Sequence, residues 1–316
     1  ARKTLSSMGF TSFFFLSDFP IISSDYKSAE EHLIGVKSHL DLLRIKLPDN
    51  FPSYIFYDTV LKSARHPQPD IKSEFWRESI ADIYRLKRFY DYVFNSINVS
   101  YLVLSHPYKN EFGMALTYAL RRNISCFNIY ATYEMMRIKR FDNLKDFLDP
   151  MESLTYKDYL RLDEKTRKSI ENAGKKYLRG IETGKNTDIN VTRAYQSQKG
   201  KIDLYKKYSI NKDNPIAVVF CHAWYDFPHA FGMENFTDFL DWINTTLKTA
   251  KSNPKTTWIF KPHPCDSWYG DFTIKNLTKN LPENIHIIDE SVSVTTALEV
   301  ADFAITVHGT VAMEAT

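Results

Sequence analysis

Apolar and polar positions along this chain fall into short blocks whose period changes repeatedly. "NVSYLVLS" (98–105) is a β-branched run that predicts a strand. "NEFGMALTYALRR" (110–122) places Phe112, Leu116, Ala119 and Leu120 at helical spacing, and "ISCFNIY" (124–130) is a second apolar run. Together they predict a strand, helix, strand unit. Upstream, "SAEEHLIGVKSHLDLLRI" (28–45) and "EFWRESIADIYRLKRFYDYVFNSI" (74–97) predict amphipathic helices around "SYIFYDTVL" (53–61), a further strand with a polar exit at Asp58.

Periodicity is lost over "ETGKNTDINVTRAYQSQKG" (182–200), where Gly, Asn, Thr, Gln and Lys mark an exposed connection. It then restarts sharply. "PIAVVFC" (215–221), "TTWIFKP" (256–262), "IHIIDE" (285–290) and "FAITV" (303–307) predict strands, separated by "ENFTDFLDWINTTLKTA" (234–250), a Phe- and Leu-punctuated segment at 272–281, and "VTTALEVA" (294–301). Strands that alternate with helices predict an α/β chain whose parallel sheet is covered on both faces and binds ligands at the carboxyl ends of its strands. The expected organisation is an N-terminal α/β domain (1–181), a linker (182–200) and a C-terminal α/β domain (201–316). The chain starts without methionine and stops at "HGTVAMEAT", in the first turns of a helix after a strand. A piece of a longer polypeptide is therefore expected, its C-terminal part truncated, with further catalytic domains on the full-length chain left open.

Composition adds bounds. With 316 residues, 43% apolar and 15% aromatic, the chain can bury a sizeable core and suits about two domains of roughly 150 residues. The 41 Lys and Arg against 38 Asp and Glu leave a net charge of +3, too balanced for a nucleic-acid tract and compatible with a mild anion preference. Cys126, Cys221 and Cys265 lack CxxC spacing, which fits free thiols in a reducing, cytoplasmic compartment. No stretch approaches the roughly 18 consecutive apolar residues of a membrane span. Neither an Asp-x-Asp element nor a His/Cys cluster with ligand spacing is present, so no metal is expected.

The candidate chemistry lies where a parallel sheet presents its ligands. His263 stands between Pro262 and Pro264, which fix φ on both sides and present its ring from a stiff backbone. Lys261 lies two residues earlier, on the same side of an extended strand, and the pair predicts an anion site; a strand terminator with an exposed lysine and a hydrogen-bonded histidine is the plainer alternative. In "ADFAITVHGTVAMEAT", a strand runs into His308, Gly309 and Thr310 and then a helix carrying Glu314. Gly309 allows close backbone approach, the helix start and the Thr310 hydroxyl suit a phosphate, and Glu314, one turn on, suits ribose hydroxyls.

These elements, "TTWIFKPHP" and "ADFAITVHGTVAMEAT", resemble the nucleotide-binding half of GT-B glycosyltransferases of bacterial surface polysaccharide synthesis, in particular the capsule-synthesis group with retaining β-Kdo transferases. The resemblance covers roughly 215–316 and is only architectural before that. It implies two Rossmann-like domains facing a cleft, a CMP-sugar donor such as CMP-Kdo, and a glycan or lipid-linked glycan acceptor for capsule, O-antigen or lipopolysaccharide. It further implies that Lys261, His263, His308, Gly309 and Thr310 hold phosphate and that Glu314 holds ribose. The loop "HAWYDFPHAFGM" is where that group places an acidic residue near the anomeric carbon, so Asp226 becomes a candidate nucleophile of a double displacement, with His222 and His229 as candidate sugar ligands. An Asx-turn role for Asp226 before Phe227-Pro228 is the alternative. On the acceptor side, "SHPYKNEFG" (105–113) offers Ser105, His106 and Glu111, with Glu111 or His106 as general base; Tyr133, Glu134 and Arg137 follow the next strand. The resemblance places the protein in the cytoplasm and leaves peripheral association with the inner face of the membrane open. CDP-glycerol-type phosphotransferases of teichoic-acid-like polymers share the Lys-Pro-His-Pro-like element, but usually carry Asp-Tyr-Ser-Ser where this chain has His308-Gly309-Thr310-Val311. A non-catalytic nucleotide-binding module is the third alternative.

Overall fold

A computed structural model describes residues 2–106, 108–132, 135–143, 146, 156–182, 202–307, 309 and 311–314. The fold is mixed α/β, and two compact units separate: residues 1–60, 70–129 and 138–147 form the first, and residues 61–69, 130–137 and 148–316 the second. Of the expected linker (182–200), Glu182 is the last residue of a helix and 183–200 lie outside the described residues.

The first unit runs α1 (Arg2–Ser7), α2 (Ser23–Leu33), α3 (His39–Leu43), α4 (Ser53–Ala64), α5 (Glu74–Ser96), β1 (Tyr101–Leu104), α6 (Asn110–Arg121), β2 (Ser125–Thr132) and β3 (Met135–Phe141), with the last residues of α4 and the flanking parts of β2 and β3 belonging to the second unit. β1 pairs with β2 in parallel, Tyr101 opposite Ser125, so the predicted strand, helix, strand unit is present. The sheet order is β1-β2-β3. α5 buries Trp76, Ile80, Ile83 and Leu86 along one stripe, the amphipathic pattern expected of a helix that covers a core.

The segment predicted as a strand at 53–61 is instead the helix α4. Ile55, Phe56, Tyr57, Asp58, Val60 and Leu61 are all buried, so it is apolar nearly all round and carries neither a period of two nor of 3.6. The Pro52 carbonyl accepts from the amides of Ile55 and Phe56, which starts the helix. Gly113 lets α6 approach it: a Cβ there would meet Phe51 at 3.1 Å and Ile55 at 3.2 Å.

The second unit continues with α7 (Tyr156–Arg161), α8 (Glu164–Glu182), α9 (Leu204–Tyr208), β4 (Ile216–Phe220), α10 (Phe239–Ser252), β5 (Thr257–Lys261), α11 (Ile274–Leu277), β6 (Ile285–Ile287), α12 (Val294–Leu298), β7 (Phe303–Ile305) and α13 (Val311–Glu314). Its sheet has the order β6-β5-β4-β7 with every pairing parallel. β4 and β5 are buried along their whole length, as expected of central strands covered on both faces. Ile216, Val218 and Phe220 join Leu204, Ile259, Ile288, Val292 and Ala297 in one core cluster; the alternate residues Ala217 and Val219 turn to the other face by the pleat.

Strand order therefore reverses at β4. The chain steps from β4 to β5 to β6 in one direction, then returns to lay β7 on the opposite side of β4. In open parallel sheets such a reversal leaves a crevice outside the carboxyl ends of the two diverging strands, because their crossovers run to opposite faces. Here those ends lead into Cys221-His222 and Thr306-Val307.

Candidate functional site

The loops at the carboxyl edge are tied to one another by buried hydrogen bonds. Trp224, after β4, donates from Nε1 to Asp266 Oδ1, after β5, at 2.9 Å. Asp266 Oδ2 in turn accepts from the Ile274 amide at 3.1 Å, fixing the start of α11. The Ser267 amide donates to Glu290 Oε2 at 3.0 Å, which joins the loop after β5 to the one after β6.

Lys261 ends β5 facing inward. It is 2% exposed, and its Nζ donates to the carbonyls of Pro262 at 3.1 Å and Glu290 at 3.2 Å. The spacing on the strand led to a solvent-facing cation at the strand mouth; burial places it beneath the rim, where it anchors the loops. Burial pushes its ammonium down to about 8, opposed by the Cys221 thiol and by Glu290, Asp266 and Asp289.

His263 is partly buried at the rim. Its Nδ1 accepts from the Cys265 amide at 3.1 Å. Burial, reinforced by the Lys261 ammonium and opposed by Asp226, lowers the ring to about 4, so at neutral pH the imidazole is uncharged. With Nδ1 occupied as an acceptor, its single proton sits on Nε2. The ring is a fixed hydrogen-bond donor, suited to an anionic oxygen, and it does not supply a positive charge.

Asp226 lies in the loop after β4, its side chain half-exposed. Its backbone amide donates to the Ala223 carbonyl at 3.2 Å, so a turn does form there. Phe227 follows with φ of 53°, a left-handed conformation that a bulky residue adopts only under constraint. Lys62 Nζ, from the last turn of α4, donates to Asp226 Oδ1 at 2.6 Å. Gln68 Nε2 donates to Asp238 Oδ2 at 2.7 Å at the start of α10.

His222 stacks face to face on Phe239, ring centroids 4.5 Å apart, with Trp242 edge-on at 6.1 Å. Its ring also lies against Gly309 of the loop after β7: a Cβ on Gly309 would meet His222 Cε1 at 3.3 Å, and Gly309 has φ of 150°. His222 and Gly309 thus face each other across the reversal point of the sheet. His229 is buried at 6% exposure and opens a 3₁₀ turn through Phe231. His308 and Thr310, with Tyr133 and Glu134, lie outside the described residues; Glu314 closes α13, and its side chain and that of Arg137 are likewise outside.

The acceptor-side candidates belong to the first unit. Ser105 Oγ and His106 Nδ1 are 3.0 Å apart, and His106 packs on Phe112 with centroids at 4.5 Å. Burial and Lys109 lower the His106 ring, with Glu111 opposing. Glu111 stands in the first turn of α6, and its carbonyl accepts from Tyr90 Oη at 2.9 Å.

In the second unit the fold brings Asp226, His222, His263 and Gly309 to one edge of the sheet and sinks Lys261 under it. Sequence reading missed Lys62, Trp224, Asp266 and Glu290. Asp266 is the one carboxylate of "HPCDSWYG" (263–270), which was the available signal; Lys62, 164 residues from Asp226, offered none. Among the described residues no group of His, Cys, Asp and Glu is arranged to hold a metal ion, all three cysteines are free and buried, and no helix is long and apolar enough to cross a membrane.

No family model matches the chain, and comparison with curated proteins and with solved structures found no match.

Proposed function

We propose that this chain is a nucleotide-sugar-dependent glycosyltransferase whose donor binds at the carboxyl edge of β4, β5 and β7. The reading takes the two units as Rossmann-like domains of a GT-B-like layout, with CMP-Kdo as donor and a glycan of bacterial surface polysaccharide as acceptor. The observation that carries it is the carboxyl edge of the parallel sheet, where the loop after β5 offers His263, a neutral imidazole with Nε2–H to donate, and the loop after β7 offers Gly309, whose backbone closely approaches His222 at the reversal point. Both features suit a phosphate in the crevice that such sheets use for nucleotides.

In the proposed reaction, a carboxylate oxygen of Asp226 attacks the anomeric carbon, and CMP departs with the electrons of the broken carbon–oxygen bond. His263 Nε2–H stabilises the leaving phosphate. An acceptor hydroxyl then attacks the glycosyl ester from the vacated face and gives its proton to a base, for which the sequence offers Glu111; Asp226 is released as carboxylate, and two inversions give net retention. The chemistry asks for no metal.

Calorimetric titration of the chain with CMP, UDP and CDP-glycerol tests this directly. The proposal expects CMP to bind and UDP to bind much more weakly. Preferred binding of CDP-glycerol moves the protein to glycerophosphate transfer, and a folded chain that binds none of them overturns the reading.

A further inference from the structure

The cation beside Asp226 comes from a segment remote in sequence. Residues 61–69 are part of the second unit, and they touch it at three points: Lys62 on Asp226, Gln68 on Asp238, and His66 edge-on to Phe272 with ring centroids 4.4 Å apart. This strap runs past the loop after β4, the start of α10 and the end of the loop after β5. Lys62 is held by its surroundings as well as by its partner. Its Nζ lies 5.9 Å from the Tyr225 ring centroid and 5.4 Å from that of Phe227, the residues on either side of Asp226. Two aromatic faces thus wall a cation against the very carboxylate assigned the attack.

The pair is also accessible. The side chains of Lys62 and Asp226 are 37% and 50% exposed, so water competes for both and the ion pair adds little to stability. An ammonium carries three N–H donors, and Asp226 takes one. Such a cation is exchangeable in a way that buried Lys261 is not. A donor brings anionic oxygens close to Asp226, and two like charges at contact distance repel unless a cation lies between them.

Resting on the reading proposed above, we infer that Lys62 is a ligand for the anionic group of the donor, a phosphate or a sugar carboxylate. Without donor its ammonium is parked on Asp226. When the donor enters, its anionic oxygen takes that ammonium, and the Asp226 oxygen that had accepted from Lys62 becomes available to the anomeric carbon. The exchange couples donor binding to release of the nucleophile.

The test is titration of the chain and of Lys62→Met, Lys62→Arg and Asp226→Asn with CMP, cytidine and CMP-Kdo, with thermal melts to show that each variant folds. If Lys62 takes the phosphate, Lys62→Met weakens CMP by about tenfold or more, the size of a lost hydrogen bond to a charged group, and leaves cytidine unchanged. If it takes the sugar carboxylate, Lys62→Met spares CMP and weakens CMP-Kdo by a similar factor. In either case Lys62→Arg stays close to wild type, and Asp226→Asn binds the affected ligand more tightly because its competitor for the ammonium has gone. Wild-type affinities of Lys62→Met for both CMP and CMP-Kdo overturn the inference while leaving the donor site standing. A folded wild type that binds neither removes the donor site itself, and the inference with it.

Discussion

The indole Nε1–H of Trp224 points at Oδ1 of Asp266 across 2.9 Å, with both residues almost completely buried. This bond fixes the Asp226 loop relative to the His263 loop, since Trp224 is two residues before one and Asp266 three after the other. Burial raises the Asp266 carboxyl above the usual carboxylate range, opposed first by the Trp224 bond and then by the Ile274 amide. Trp224→Phe removes the main opposing donor and should cost about 1–3 kcal/mol of stability. A folded carboxyl that titrates above its unfolded value holds its proton where the unfolded chain has lost it, so its burden grows as pH rises through that window. The loss in Trp224→Phe should therefore grow as pH rises from below the ordinary carboxylate value of about 4 to neutrality, as read from urea unfolding across that range; a loss independent of pH would contradict the account.

His263 gives the opposite slope. Its ring is lowered to about 4, whereas in the unfolded chain it titrates near the ordinary value of about 6.5. Between these values the unfolded chain binds a proton that the folded one refuses, so stability falls as pH drops through the window. His263→Gln should make the chain less sensitive to acid, narrowing the pH 7 to pH 5 difference in unfolding free energy by about 1–2 kcal/mol. His263→Ala, which unlike the glutamine variant leaves no N–H donor at this position, should weaken CMP about tenfold or more.

Gly309 has φ of 150°, and an added Cβ would press on the His222 ring at 3.3 and 3.4 Å. His222 cannot retreat freely, because Phe239 is stacked on its ring at 4.5 Å. Gly309→Ala is expected to lower stability by about 1–3 kcal/mol through backbone strain and to weaken CMP more than cytidine. A melting temperature and CMP affinity equal to wild type would mean that the close approach does no work.

The sequence made much of the second unit legible and little of its wiring. β4, β5, β6 and β7 stood out because each is a short apolar run with a polar exit; β4 and β5 are buried along their length, as that pattern implies, whereas the flanking β6 and β7 are partly exposed. α4 was misread because the same burial on a helix erases its period. β3 went unseen because "MMRIKRF" sets three basic residues among four apolar ones without strict alternation, and Ile138 is 60% exposed, so neither an apolar run nor a period of two marks it. Position in sequence put Lys261 at the end of β5 and His263 just beyond it, but not their directions: the pleat would set them on the same side, yet the strand ends at Lys261, before Pro262, and Lys261 turns to the carbonyls of Pro262 and Glu290. Lys62 and Asp226 meet only through the tertiary fold.

Asp226→Asn keeps the size of the side chain and removes its charge and nucleophilicity. Transfer from CMP-Kdo should fall by several orders of magnitude while CMP binds at least as tightly as to wild type. Near-normal turnover of this variant would return Asp226 to the role of a turn residue.

The central claim is the location of the donor. Hydrogen exchange followed by mass spectrometry, with and without saturating CMP, reads it peptide by peptide. The account predicts slower exchange in peptides that span 221–230, 262–270 and 305–312, the loops at the carboxyl ends of β4, β5 and β7. Protection confined to other segments, or none at a CMP concentration that calorimetry shows to be saturating, would contradict it.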